Sequence, residues 1–154
     1  MPSTRSLPRA VLFGTALIVW CAALAAAPAG PDDALKKLHA SIETAFAHCD
    51  PAPLQAAFSP RLKTYLSSPA LDVAAGYYGA DQVLLILRRW LAGRTTLRFH
   101  LGDLEKTDQE RGRQVIQARW QHRAEGSSRS EVRLSFTLAP EGPAWFIREI
   151  RELK

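Results

Sequence analysis

Residues 81–101, DQVLLILRRWLAGRTTLRFHL, change hydrophobic period part-way along. Up to Ala92, the side chains Val83, Leu84, Ile86, Leu87, Trp90 and Leu91 recur at helical spacing, with Gln82, Arg88 and Arg89 on the wet side. Asp81 reads as the N-cap and Gly93 as the stop. An apolar face this wide predicts a helix seated deeply against a sheet. Beyond Gly93 the period becomes two: Leu97, Phe99 and Leu101 alternate with Arg98 and His100, as in a half-buried strand.

C-terminal to this switch everything reads as strand. Ile116, Ala118 and Trp120 alternate with Gln117, Arg119 and Gln121, and Val132, Leu134, Phe136 and Leu138 alternate with Arg133, Ser135 and Thr137. Trp145 to Ile150 closes the series, with a bulge expected where the apolar parity shifts between Ile147 and Ile150. Turns at 108–112, 125–128 and 140–143 are short enough for an antiparallel meander. N-terminal to the switch, Leu35, Leu38, Ile42, Ala45, Phe46 and Cys49 make one helical stripe ending near His48, capped by Asp32 or Asp33. Asp50-Pro51 opens a second short helix through Leu54, Ala57 and Phe58, and Arg61–Leu66 with Ala75–Tyr78 form a small hairpin. Helices first and an antiparallel sheet after them define an α+β domain.

The first 29 residues read separately. Arg5 and Arg9 precede the uncharged run AVLFGTALIVWCAALAAA (10–27), and Ala27-Pro28-Ala29 supplies the small residues a signal peptidase needs. This predicts a cleaved signal peptide, 1–29, an exported domain, 30–154, and a periplasmic or secreted location. The alternative is an uncleaved anchor, since the run is about as long as the shortest spanning helices, roughly 17 residues. Losing Arg5 and Arg9 lowers the net charge from +5 to +3, too mild a balance to argue for nucleic acid. The mature chain keeps Cys49 as its one cysteine, so it forms no internal disulfide and relies on its apolar core.

Three stretches carry a family resemblance. CDPAPLQAAFSPRLKTYL (49–66) resembles the second helix and first strand of the nuclear transport factor 2-like, or cystatin-like, superfamily. YYGADQVLLILRRWLAG (77–93) resembles its strand entering the third helix, and PAWFIREIREL (143–153) its closing strand. The likeness covers nearly the whole mature chain and extends to small secreted bacterial members without assigned function. It implies a cone-shaped roll whose sheet curls around the helices and leaves a pocket at the open end. Among enzymes of that superfamily, isomerases and dehydratases, it implies a carboxylate or histidine inside the cone with a tyrosine or second acid beside it. Homodimerisation through the sheet is implied only by the resemblance.

The residues themselves offer little chemistry. His39, His48, His100 and His122 have no metal-ligand spacing, nucleophile elbows and phosphate loops are absent from the sequence, and no cofactor is expected. For acid–base catalysis the candidates are His100 with Tyr65 or Tyr78, and Asp103 if it keeps the apolar parity; a bulge at Gly102 would turn Leu104 inward instead. Parity places His100 opposite the apolar face, so the enzyme reading is the alternative and a non-catalytic envelope domain the leading one. Two binding sites are candidates for it. Tyr65, Tyr78 and Trp120 would line a pocket for a small apolar ligand, although aromatics at this spacing are more often core. Arg119, Arg123 and Arg133, with Arg98, would share the outer sheet face and dock an acidic envelope partner, unless they are simply solvated and balanced by Glu131 and Glu149.

Overall fold

The computed structural model describes residues 31–71, 73–108 and 112–154, with backbone alone for Pro31 and residues 104–108. The proposed leader and its cleavage site lie outside the described residues. Among the described residues no helix is long and apolar enough to cross a membrane.

Helix α1 spans Pro31–His48 and buries the expected stripe, with Ile42, Ala45 and Phe46 wholly inaccessible. Asp32 and Asp33 lie inside the first turn rather than at a cap, where their charge still opposes the helix dipole. Cys49 ends the helix in the left-handed conformation (φ 52°), and the Asp50 N–H donates to the Ala45 carbonyl at 2.9 Å, a Schellman closure. The second helix contracts to a single 3-10 turn, Ala52–Leu54. Leu54, Ala57 and Phe58 are buried nonetheless.

Strands β1 (Thr64–Ser67) and β2 (Gly76–Tyr78) form the antiparallel hairpin, with Tyr65 opposite Tyr77. Strand β1 begins three residues later than expected. The Ser59 hydroxyl oxygen accepts from the Arg61 and Leu62 N–H groups, both at 3.1 Å, and holds that stretch in a turn. Helix α2 is Ala80–Leu91. Its N-cap is Gly79, whose N–H donates to Gln82 Oε1 at 3.0 Å; Asp81 is one of the first-turn residues, not the cap. Gly93 stops the helix at φ +67°, as the sequence predicts.

The meander follows as β3 (Arg94–Asp108), β4 (Arg113–Ala124), β5 (Arg129–Glu141) and β6 (Ala144–Leu153). Sheet order is β2-β1-β6-β5-β4-β3, and β1 runs parallel to β6, so the sheet is mixed rather than purely antiparallel. Four bulges interrupt its ladders, one of them at Thr107, and the other three set the parity around the core. One at Leu97 leaves that side chain 45% exposed, against expectation, while keeping Phe99 opposite Trp120. The next, at Gly102–Asp103, sets the Leu104 backbone opposite Ile116 and leaves Asp103 exposed. The third, at Arg148, lets both Ile147 and Ile150 reach the core, as their spacing foretold. Glycine is favoured at 102, since a Cβ there would stand 3.0 Å from the Gln117 carbonyl oxygen, a tight contact with backbone. The helices cover the inner sheet face, and Phe46 is the hub of an aromatic cluster, its ring centroid 5.0–5.8 Å from those of Trp90, Phe99, Trp120 and Phe136.

Candidate functional site

Among the described residues the inner face of the sheet is packed. Trp120, Phe136, Leu134, Ile116 and Leu138 on the inner face have no solvent exposure. The polar groups among them are mostly consumed by one hydroxyl. Thr96 Oγ1 donates to the Phe46 carbonyl at 2.5 Å, accepts from Trp120 Nε1 at 2.9 Å, and lies 3.2 Å from Cys49 Sγ.

One titratable side chain that the sequence reading passed over faces inward. His122 is buried, 4.1 Å from the Trp120 ring between centroids, and Thr96 and Ser130 are its register neighbours. Extending the Ile116–Ala118–Trp120 parity by one more step would have found it. Burial, and then the nearby Arg94 guanidinium, push its pKa below the usual histidine value, which favours the neutral form. Its Nδ1 has no hydrogen-bond partner among the described residues.

The acid–base candidates do not converge. His100 is exposed on β3 opposite Arg119, and Asp103 is exposed at the bulge. Tyr65, on β1, has the parity opposite to buried Thr64 and Leu66 and pairs with the Tyr77 ring at 5.1 Å, with the Arg151 guanidinium 5.3 Å from its centroid. The Tyr78 hydroxyl donates to the Ala74 carbonyl at 2.6 Å. The three aromatics considered for a ligand pocket are likewise apart: Tyr65 faces outward, Tyr78 lies on the β2 edge, and Trp120 is fully buried on β4. Among the described residues no group of three potential metal ligands comes together.

The arginines do come together. Arg119, Arg123 and Arg133 are all exposed on the outer face, with Arg98 beside them. One cross-strand row reads His100–Arg119–Arg133, and the flanking rows read Arg98–Gln121–Glu131 and Thr95–Arg123–Arg129. Two directly opposed pairs, Arg119 with Arg133 and Arg123 with Arg129, are like-charged, which costs a sheet rather than supporting it. The carboxylates on the face are partly engaged: Gln121 Nε2 donates to Glu131 Oε2 at 2.6 Å, and Glu149 pairs with Arg151. Arg129 donates to Gln121 Oε1, and Arg133 to the Lys154 backbone oxygen. Two shallow clefts lie on this face, one of about 320 Å³ between His100, Arg119 and Arg133 and one of about 150 Å³ between Arg98, Arg119 and Glu131.

No family model matches the chain, and no curated protein matches it by sequence. Solved structures do match its shape. A DUF4783 family protein from Bacteroides ovatus aligns with a TM-score of 0.57 at 13% identity, over 73% of this chain and 91% of its own. A nuclear transport factor 2-like protein from Burkholderia thailandensis gives 0.57 at 17% identity, over 80% and 89%. A ketosteroid isomerase-like protein from Erwinia carotovora gives 0.57 at 11%, over 79% and 95%. The chain has the nuclear transport factor 2-like fold, which hosts many activities and selects none of them.

Proposed function

We propose that this is a non-catalytic binding domain that docks an acidic protein partner on the outer face of its sheet. The observation that carries the reading is the His100–Arg119–Arg133 row, in which two exposed arginines face each other across neighbouring strands. Such a pair destabilises the free sheet and becomes favourable when a carboxylate bridges it, because each guanidinium offers a planar fork of donors that matches a carboxylate. Support also comes from the packed interior and from the separation of the acid–base candidates. The same charge disfavours a homodimer through this face, since an isologous contact would set the arginine row against itself. Export to the cell envelope belongs to this reading, and a mature mass beginning at Gly30 in protein recovered from the envelope is its check; a retained leader would make the domain membrane-anchored.

The test is fluorescence anisotropy with a labelled oligoglutamate peptide. Binding that weakens as salt is raised, is lost in Arg119→Glu/Arg133→Glu and survives in Arg61→Glu, an exposed site in the turn before β1, supports the proposal. Absence of binding, or equal loss in the Arg61 variant, overturns it.

A further inference from the structure

Apolar side chains are not confined to the inner face of the sheet. The alternation that buries Ile116, Phe136 and Ile150 turns Val115, Thr137 and Glu149 outward. Their cross-strand row continues through Tyr65 to Tyr77. Beyond the bulge at Arg148 the next outward pair is Ala139 with Phe146. Val115, Ala139, Phe146 and Tyr65 take no part in the core and stand half-buried, and Tyr77 is 68% exposed. The carboxylate of Glu149 in this row is paired with Arg151, whose guanidinium lies 5.3 Å from the Tyr65 centroid. The outer face is therefore divided along its strands. Arg119, Arg123, Arg129 and Arg133 occupy the end nearest the β4–β5 turn, and an apolar shelf occupies the other.

Neither half serves the free sheet. Opposed arginines do not support it, and apolar groups that face water gain nothing from burial. An occupant that carries both kinds of group satisfies both halves, and tyrosine, phenylalanine and arginine are the side chains that interfaces favour. We propose that the docked partner is an extended segment in which acidic residues are separated from large apolar ones by four to six positions. The acids lie on the Arg119–Arg133 row and the apolar groups on Val115, Ala139 and Phe146. The spacing comes from the strands themselves. Val115 and Thr137 stand four residues along from Arg119 and Arg133, about 13 Å, and Ala139 two residues further, about 20 Å. An extended chain rises by nearly the same amount per residue, whereas a small molecule does not span the distance. This inference rests on the docking reading above and adds the apolar half of the partner.

Fluorescence anisotropy with three labelled peptides tests it. The first has four glutamates, three serines and then Phe-Ser-Phe. The second replaces both phenylalanines with serine, and the third is an isomer of the first with both phenylalanines placed among the glutamates. The first peptide, or its reversed sequence, should bind the parent protein at least about tenfold more tightly than the second. The isomer should not share the gain, because its aromatic rings cannot reach the shelf while its acids hold the arginines. The gain should vanish in Phe146→Ser/Val115→Gln, with the second peptide bound as before, and Arg119→Glu/Arg133→Glu should lose all three. The peptide comparison needs only the parent protein, so it stands if the shelf variant does not fold. Failure of the second peptide to bind overturns the docking reading itself; binding of the second with no gain from the first overturns the shelf alone. An equal gain in the isomer, or a gain that persists in the shelf variant, overturns it as well. A dimer in sedimentation velocity that Phe146→Ser dissolves would give the shelf to a second copy, with the same consequence.

Discussion

The two faces of one sheet follow opposite rules. On the inner face of β4, Ile116, Ala118, Trp120 and His122 are buried and each has a set neighbour. On the outer face, Gln117, Arg119 and Arg123 are exposed, and the cross-strand pairing sets arginine against arginine. Stability therefore resides on the inner side of the strand, and the proposed recognition falls on the outer side, where opposed arginines do not support the sheet. A side that the fold does not require can hold charges chosen for a partner.

The contrast can be broken most forcefully at Trp120. Trp120→Ala removes a fully buried ring that touches Phe46 and Trp90, together with the hydrogen bond to Thr96, and should cost about 3–5 kcal/mol in urea unfolding. A cost no greater than that of Arg119→Ala would erase the distinction between the faces.

Gly102→Ala should come next, at about 1–3 kcal/mol, because its methyl group meets the Gln117 backbone carbonyl and not a side chain that can swing away. A variant as stable as the parent would mean the bulge does not depend on glycine.

The pH response of His122 sharpens the inner face further. Its folded pKa is lowered, so between that value and the ordinary one the unfolded chain binds more protons. Stability should be full above about pH 6.5 and decline as pH falls below it. The difference between parent and His122→Gln, compared at about pH 7.5 and pH 5, isolates this contribution; identical pH dependence in the two would place the imidazole in water.

The smallest effect belongs to the outer face. Arg119→Gln should leave stability within about 0.5 kcal/mol, on the stabilising side at low salt, with the gain fading as salt screens the Arg133 charge. A marked destabilisation would show that the arginines hold the sheet together.

The period switch at Gly93 made α2 and the meander legible, because strand alternation and helix spacing are properties of neighbouring residues. The bulge at Arg148 was legible for the same reason: two isoleucines of opposite parity must both be buried. The bulge at Leu97 was not, since an apolar residue in step with Phe99 and Leu101 looks inward until the pairing with β4 is known. The second helix shortened to one turn while Leu54, Ala57 and Phe58 stayed buried, so their spacing reported burial and not helix length. The parallel contact of β1 with β6 joins residues more than eighty positions apart, and nothing in the sequence around Tyr65 reports it. The outer arginines, by contrast, could be aligned by parity alone.

That parallel contact also makes β6 the hinge pin of the sheet. It lies between β1 and β5, so the N-terminal hairpin is joined to the long meander through β6 alone among the strands. Any change that loosens β6 from β5 therefore releases the hairpin along with it.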